Sequence, residues 1–264
     1  MKGKSILIFS ATIALGIGIM SCGGGQPQTE TPAAGSAATA GRPVDAATAG
    51  SVSGTITLDG TAPRMRPINM AAEPTCARVH TTPAMTEDVQ VGTGGALRNV
   101  VVYLKGDFSQ YAFDAASSPM MLDQKGCQYT PHMIALRVGQ PLHVMNSDQT
   151  THNIHPVPVN NREWNESQPP GAGAIDQSFA REEIAIPVKC NVHPWMKSYV
   201  AVVSHPYFQV TGADGSFSLK NVPPGTYTLT AWHELYGASE QSVTVAASEA
   251  KSMDLTFTAA GSAD

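Results

Sequence analysis

Four side chains that could bind one metal ion lie on two short segments of the chain. The first segment reads C-N-V-H-P-W-M and places Cys190, His193 and Met196 at three-residue intervals. The second segment lies upstream and ends in His152 followed by Asn153. A thiolate, two imidazoles and a thioether suit copper, because soft sulfur ligands favour Cu(I) and imidazole binds both oxidation states. The residues therefore predict a single copper site with the ligands His152, Cys190, His193 and Met196.

This ligand set is the one that blue-copper, or type 1, electron-transfer sites use. A weak axial methionine leaves such a site nearly trigonal, which is a compromise between the geometries that Cu(I) and Cu(II) prefer. A seven-residue loop can bring three ligands to one metal, while the fourth comes from a neighbouring strand. Zinc is a weaker option, since it has little use for methionine. The non-functional alternative is a buried structural cysteine near an unrelated histidine and a core methionine.

The remaining histidines differ in what their positions indicate. His155 is an additional candidate ligand, but it need not converge with a histidine three residues away, because side chains alternate along a strand. His132 and His143 are predicted to be structural or surface residues. His205 and His233 are predicted to make capping or inter-domain hydrogen bonds.

The loop resembles the copper loop of the cupredoxin family, above all that of its amicyanin-like members, which also carry proline and an aromatic residue between histidine and methionine. Plastocyanin-like members share an Asn-x-Asp run before His-Asn, seen here as Asn146, Asp148, His152 and Asn153. The resemblance covers roughly residues 119–205 and implies a Greek-key β-sandwich. It also implies that Asn153 stiffens the site through hydrogen bonds to the loop that carries the cysteine.

The same resemblance implies how electrons leave the protein. The ring edge of His193 is expected to reach the surface inside an apolar patch formed with Pro156, Pro194 and Trp195. Redox partners dock weakly and transiently on such patches. A c-type cytochrome or a membrane oxidoreductase complex is the expected partner.

The N-terminus has the features of an export signal. Residues 1–21 carry two lysines followed by an apolar stretch without acidic residues, as secretory signals do. The stretch ends in I-M-S-C, which resembles a bacterial lipobox and implies lipidation of Cys22, although a short signal anchor is the alternative. Residues 22–50 are rich in Gly, Ala, Thr and Pro and are predicted to form a flexible tether. The expected location is the periplasmic side of a bacterial membrane.

Composition and pattern predict an all-β head. The chain of 264 residues is 42% hydrophobic and only 14% charged, with 24 glycines and 19 prolines, which favours short strands joined by turns. Residues 210–231 contain T-x-x-D-G and P-x-G-x-Y patterns and resemble the carboxypeptidase regulatory-like, or transthyretin-like, domain. We predict a cupredoxin sandwich at 118–205, inserted in or packed on a second β-sandwich formed from 51–117 and 206–260.

Two cysteines remain, and the charge balance limits the partners. Cys76 and Cys127 are predicted to form a disulfide in an oxidising compartment, the alternative being two free buried thiols. A net charge of -5 argues against a nucleic-acid partner, which requires clustered positive charge. The leading hypothesis is a membrane-tethered electron carrier, and the alternative is a periplasmic copper storage or delivery protein. An enzyme is not expected, because the other histidines form no recognisable second metal set.

Overall fold

The computed structural model describes residues 41–259, which contain seventeen strands and one short helix. The strands are β1 (Gly50–Asp59), β2 (Val101–Lys105), β3 (Met120–Lys125), β4 (Gln128–Thr130), β5 (Met133–Arg137), β6 (Leu142–Asn146), β7 (His152–Pro156), β8 (Glu166–Gln168), β9 (Ile175–Gln177), β10 (Glu183–Lys189), β11 (Lys197–Val203), β12 (Phe208–Val210), β13 (Ser216–Val222), β14 (Gly225–His233), β15 (Gly237–Val245), β16 (Ala250–Ser252) and β17 (Leu255–Thr258). The helix is α1 (Pro74–Arg78), and Thr93–Gly95 forms a 3₁₀ turn. The all-β prediction is confirmed.

Three of the sequence predictions concern residues outside this range. The signal peptide at 1–21, the lipidation site Cys22 and most of the tether lie outside the described residues. Among the residues that are described, no helix has the length and apolar character needed to cross a membrane.

The first β-sandwich combines the two ends of the described chain. One sheet has the order β13-β1-β16, with β17 also paired to β1, and the other has the order β12-β2-β14-β15. Early strands thus pair with late ones, as Gly54 does with Phe217 and Val102 with Ala231. Their apolar faces enclose a buried core that includes Val52, Ile56, Leu97, Leu104, Phe217, Leu219, Leu229, Val243 and Val245.

The second β-sandwich lies between β2 and β12 in the sequence. Its sheets have the orders β5-β11-β10-β7-β8 and β4-β3-β6-β9. The buried side chains between them include Leu122, Ile134, Leu136, Leu142, Val144, Ile154, Ile186, Val188, Val200 and Val202. Cys190 and Met196 belong to the same buried cluster, so the segment predicted to bind metal lies at the end of this core.

Strand β2 contributes to two cores at once. Val102 and Leu104 point into the first sandwich, while Val101 and Tyr103 belong to a cluster with Met133 of the second. Side chains alternate along a strand, so a strand buried on both faces must be apolar at successive positions. This explains the V-V-Y-L run.

Polar groups also connect the two sandwiches. Glu234, in the turn between β14 and β15, pairs with His132 and with Lys197, the first residue of β11. Lys197 pairs in addition with Asp88. Burial alone would raise the pKa of Glu234, but its hydrogen bonds and charge interactions with His132 and Lys197 lower it below the usual value. His132 is therefore a structural residue that keeps a buried carboxylate paired.

The predicted tether extends too far toward the C-terminus. The N–H of Arg42 donates to the carbonyl oxygen of Gln110 at 2.9 Å, and Arg42 forms a β-bridge with Tyr111. A Cβ on Gly41 would lie 2.5 Å from the backbone of Tyr111, so glycine permits this close approach. Gly50 is buried at the start of β1. Residues 41–50 thus belong to the folded head.

Two apolar runs of the sequence do not form single strands. The run at 97–104 becomes a regular strand only at Val101, because Asn99 has a positive φ of 62°, which strand geometry does not permit. The run at 251–258 divides into β16 and β17. In the gap, Asp254 Oδ1 accepts the Thr55 N–H at 2.7 Å and the Met253 N–H donates to the Ser53 carbonyl.

Gly54 provides a test of how tightly β1 is packed. A Cβ at this position would lie 1.8 Å from the carbonyl oxygen of Met253. We expect Gly54→Ala to lower the free energy of unfolding by about 1–3 kcal/mol, because the backbone must move to admit the methyl group. Urea denaturation measures the change. The control is Gly173→Ala, where an added Cβ meets nothing within 4 Å; equal effects in both variants would contradict the explanation.

Candidate metal centre

The C-x-x-H-x-x-M segment forms the loop between β10 and β11. These strands are antiparallel, and the pairing of Lys189 with Lys197 closes the hairpin at the base of the loop. Inside the loop, the N–H of Cys190 donates to the carbonyl oxygen of Met196 at 3.3 Å. The N–H of Met196 donates to the carbonyl oxygen of His193 at 3.0 Å. The three predicted loop ligands are thus held within one compact turn.

Strand β7 brings the fourth predicted ligand to this loop. It runs antiparallel to β10 with His155 opposite Lys189, so the first residue of β7, His152, lies beside the loop. His152 Nδ1 is 2.8 Å from His193 Nδ1, which in turn is 3.8 Å from Cys190 Sγ. The ligand atoms of these three residues all lie within 4.8 Å of one another. Met196 is buried in the same core as Cys190.

The surroundings of Cys190 and His193 favour the protonation states that bind metals. Burial alone would raise the pKa of the Cys190 thiol, but hydrogen bonds from His152 and from backbone N–H groups lower it overall. Burial and the nearby His152 lower the pKa of His193. Metal ligands must be thiolate and neutral imidazole, and both shifts act in that direction.

Asn153 holds the loop in place, which is the role that the family resemblance implies. Its Oδ1 accepts the N–H groups of Asn191 at 2.6 Å and Val192 at 3.3 Å, and the Cys190 thiol lies 3.4 Å away. Its Nδ2 donates to Asn165 Oδ1 at 2.7 Å. One amide side chain thus fixes the backbone directly after the cysteine.

Tyr129 supports the same region from the opposite sheet. Its buried hydroxyl donates to the carbonyl oxygens of Asn153 at 2.5 Å and Lys189 at 3.0 Å. Burial, with a smaller effect from Cys190, raises the pKa of Tyr129, so the hydroxyl remains a donor. One side chain therefore ties β7 to the end of β10 that leads into the loop.

Asp148 contacts the site although the sequence analysis assigned it no role. Its Oδ2 lies 2.9 Å from His152 Nε2, the ring nitrogen opposite the one that faces His193. The N–H groups of Gly126 and Cys127 donate to its two oxygens, each at 2.7 Å. Burial would raise the pKa of Asp148, but these bonds and His152 lower it. The Asn-x-Asp run was the available sequence signal.

The predicted cysteine pair forms a disulfide that covers His193. Cys76, in α1, is bonded to Cys127, and its Sγ lies 3.6 Å from His193 Nε2. The side chain of His193 is 0% exposed. The expectation that its ring edge reaches the surface is therefore wrong. Local sequence could not reveal this, because α1 lies far upstream and reaches the loop through the disulfide.

The expected apolar patch around His193 also differs from the structure. Trp195 donates its indole N–H to the carbonyl oxygen of Cys127 at 3.0 Å, and its ring is 5.2 Å from that of His193. Pro156 is buried, and only Pro194 of the three patch residues is exposed. Trp195 thus packs against the disulfide turn that covers the site.

The other histidines do not join the cluster. The Nδ1 of His155 lies 3.1 Å from Asn191 Oδ1, and its Nε2 lies 2.6 Å from Glu163 Oε1. The groups of potential metal ligands found among residues 41–259 do not include it. Elsewhere, His143 pairs with Asp176, His205 accepts the N–H of Tyr207, and His233 accepts the N–H of Leu235.

The convergent residues fit a copper ion. One free thiol and two imidazoles, all buried, have ligand atoms within 4.8 Å of one another, and a thioether residue lies on the same loop. Sulfur and imidazole donors of this kind suit copper. His152, Cys190, His193 and Met196 could therefore hold it, with Asn153, Tyr129 and Asp148 fixing the ligands from outside.

Comparison with family models supports one part of the chain. Residues 198–258 match the carboxypeptidase regulatory-like domain. This range begins in β11 and includes β12 to β17, so it contains the C-terminal segment that the sequence patterns assigned to that family. No curated protein matches the chain.

Comparison with solved structures gives weak similarities to copper proteins. A Cu-containing nitrite reductase from Thermus scotoductus SA-01 is 16% identical with a TM-score of 0.31, over 38% of this chain and 25% of that chain. A purple cupredoxin from Nitrosopumilus maritimus is 22% identical with a TM-score of 0.27, over 31% and 97%. An amicyanin variant is 21% identical with a TM-score of 0.28, over 34% and 85%. The chain thus spans a quarter of the length of the nitrite reductase. The assignment of copper to this protein therefore depends on the protein's own side chains.

The disulfide offers a test of how the cover over His193 is held. Replacing both Cys76 and Cys127 by serine should lower the free energy of unfolding by about 4 kcal/mol, because the open chain gains the entropy of a long loop. The two residues are 51 positions apart. Urea denaturation measures the loss, and Ala77→Ser, at an exposed position in α1, is the control. An unchanged stability would show that packing alone holds the cover.

Proposed function

We propose that this chain is a membrane-tethered type 1 copper protein that carries single electrons between redox partners outside the cytoplasm. The observation that carries the proposal is the convergence of His152 Nδ1, His193 Nδ1 and Cys190 Sγ within 4.8 Å. Met196, buried on the same loop, supplies the weak fourth ligand. When bound, copper supplies one-electron chemistry by alternating between Cu(I) and Cu(II).

The residues around the proposed centre favour fast electron exchange because they hold the ligands in fixed positions. Asn153 fixes the backbone at Asn191 and Val192, and Tyr129 ties β7 to β10. Little atomic movement then accompanies a change in charge at the ligands. The lowered pKa of Cys190 favours the thiolate that such a site requires.

Burial of the ligands favours an electron carrier over copper delivery or catalysis. His152 and His193 are 0% exposed, and Cys190 is buried. Delivery needs ligands that an acceptor can reach, and an enzyme needs room for its substrate.

Electron exchange must pass through the cover rather than through an exposed imidazole. The Nε2 of His193 lies 3.6 Å from the Cys76 sulfur of the Cys76–Cys127 disulfide. Electrons tunnel over such short distances, so a partner that docks on the α1 side would suffice. We propose a c-type cytochrome or a membrane oxidoreductase complex, bound weakly and transiently.

The location follows from the N-terminus. Lipidation of Cys22 would anchor the head on the periplasmic side of a bacterial membrane, because two or more acyl chains hold a protein there stably. The disulfide agrees with an oxidising compartment. The regulatory-like sandwich carries no recognised catalytic residues, and we assign it a packing role.

Cys190→Ser tests the ligand assignment. Copper-loaded protein should show the intense thiolate-to-copper charge-transfer absorption, and the variant should lose it, because serine oxygen cannot supply that transition. Optical and EPR spectra measure the change. The variant Ala77→Ser, which adds a hydroxyl at an exposed position and keeps Cys190 and the disulfide, is the control and should remain coloured. A Cys190→Ser protein that stays blue would refute the proposed centre.

Cys22→Ala tests the anchor. Expressed with its own N-terminus, the wild-type chain should sediment with membranes, and the variant should not, because it lacks the thiol that accepts lipid. Fractionation followed by mass spectrometry measures location and acylation. Ser21→Ala keeps a small residue before Cys22 and should stay membrane-bound. Retention of the Cys22→Ala protein in membranes without acylation would support a signal anchor instead.

A further inference from the structure

Asp148 is a buried carboxylate aimed at a proposed copper ligand. Its side chain is 8% exposed, and its Oδ2 lies 2.9 Å from Nε2 of His152. His152 presents its other nitrogen, Nδ1, to His193 and belongs to the ligand cluster with Cys190. The two ring nitrogens of His152 thus face different groups: Nε2 faces a carboxylate, and Nδ1 faces the site.

The surrounding turn keeps this carboxylate fixed. The N–H of Gly126 donates to Oδ1 and that of Cys127 to Oδ2, each at 2.7 Å. The N–H of Asp148 itself donates to Asn146 Oδ1 at 3.0 Å. The two oxygens accept backbone donors, and within residues 41–259 the side-chain N–H that reaches them comes from His152 alone. Because Cys127 belongs to the disulfide, the same turn is joined to the helix that covers His193.

An ionised carboxylate can only accept hydrogen bonds. His152 Nε2 must therefore carry a proton. In the neutral ring, the form that binds a metal, Nδ1 then keeps its lone pair free for the site. A carboxylate behind a histidine ligand fixes both its tautomer and its ring orientation, and it makes the ligand a stronger electron donor. A stronger donor stabilises the more highly charged state of a bound metal ion.

We propose that Asp148 is a positioning residue that acts through His152, setting its tautomer and stabilising bound Cu(II) relative to Cu(I). This inference rests on the proposed function, since it takes His152 as a copper ligand. It goes further by assigning a role to a residue outside the ligand set. It also gives a reason for the burial of the Asp148 carboxylate beside His152.

Asp148→Asn is the first test. The variant keeps the shape of the side chain but loses the charge, and Cu(II) affinity should fall about 10–100-fold, as for other partners behind metal ligands. If Cu(I) affinity is unchanged, the reduction potential should rise by about 60–120 mV, since tenfold is 59 mV for one electron. Competition with a Cu(II) chelator and with a Cu(I) chelator measures the two affinities, and voltammetry measures the reduction potential. An unchanged potential and affinity ratio would overturn the proposal.

Asp176→Asn is the matched control. Asp176 Oδ1 lies 2.7 Å from His143 Nδ1, so this variant removes another carboxylate paired with a histidine, at an exposed position outside the centre. Its copper affinity and potential should equal those of the wild type. A shift of the same size in both variants would show that general charge, rather than the contact with His152, is responsible.

A second measurement needs neither copper nor a folded variant. In the metal-free wild-type chain above neutral pH, NMR of the ring nitrogens should show a proton on His152 Nε2, protected from exchange, and an unprotonated Nδ1. The opposite tautomer would overturn the proposal even if Asp148→Asn fails to fold. If the chain binds no copper but shows the expected tautomer, the proposed function fails while the positioning contact stands.

Discussion

The arrangement of the centre depends on the need to bury one thiol and two imidazoles without leaving them unpaired. Polar groups removed from water lose their hydration and destabilise a fold unless they find partners. Here each group has one: Asp148 for His152, the disulfide and His152 for His193, and Asn153 with backbone N–H groups for Cys190. Those partners also fix the direction of every donor atom. The hydrogen bonds that offset the cost of burying these three polar groups therefore also make the site rigid.

Burial has a consequence for how the centre would communicate with other molecules. A ligand with an exposed ring could touch a partner directly, but His193 lies under α1 and the Cys76–Cys127 disulfide. The cover excludes water, which strengthens the electrostatic effect of Asp148 on the site because the local dielectric constant is low. It also lengthens the path of an electron by one layer of residues. Protection of the ligands and access for a partner thus act against each other.

Sequence reasoning worked where the determinants are local. Cys190, His193 and Met196 share one loop, so their spacing alone indicates that they can converge, and His152 is marked by the residue that follows it. The all-β class follows from frequent turns and short apolar runs. The cover could not be deduced in this way, because α1 and the loop are distant in sequence. Asp148 lies only four residues before His152, and the Asn-x-Asp run was its local signal. The late start of β2 depends on one backbone conformation, at Asn99, that composition does not encode.

The first sandwich, which contains the regulatory-like segment, packs against the hairpin that carries the loop. Lys197 directly follows Met196, begins β11 and pairs with Glu234 in the turn between β14 and β15. Strand β11 also packs through Ala201 on the cluster that β2 shares with the second sandwich. The hairpin that carries the loop is therefore held by Asn153 at one side and by the first sandwich at the other. The first sandwich can thus limit movement of Cys190, His193 and Met196, because it fixes the base of the hairpin on which they lie.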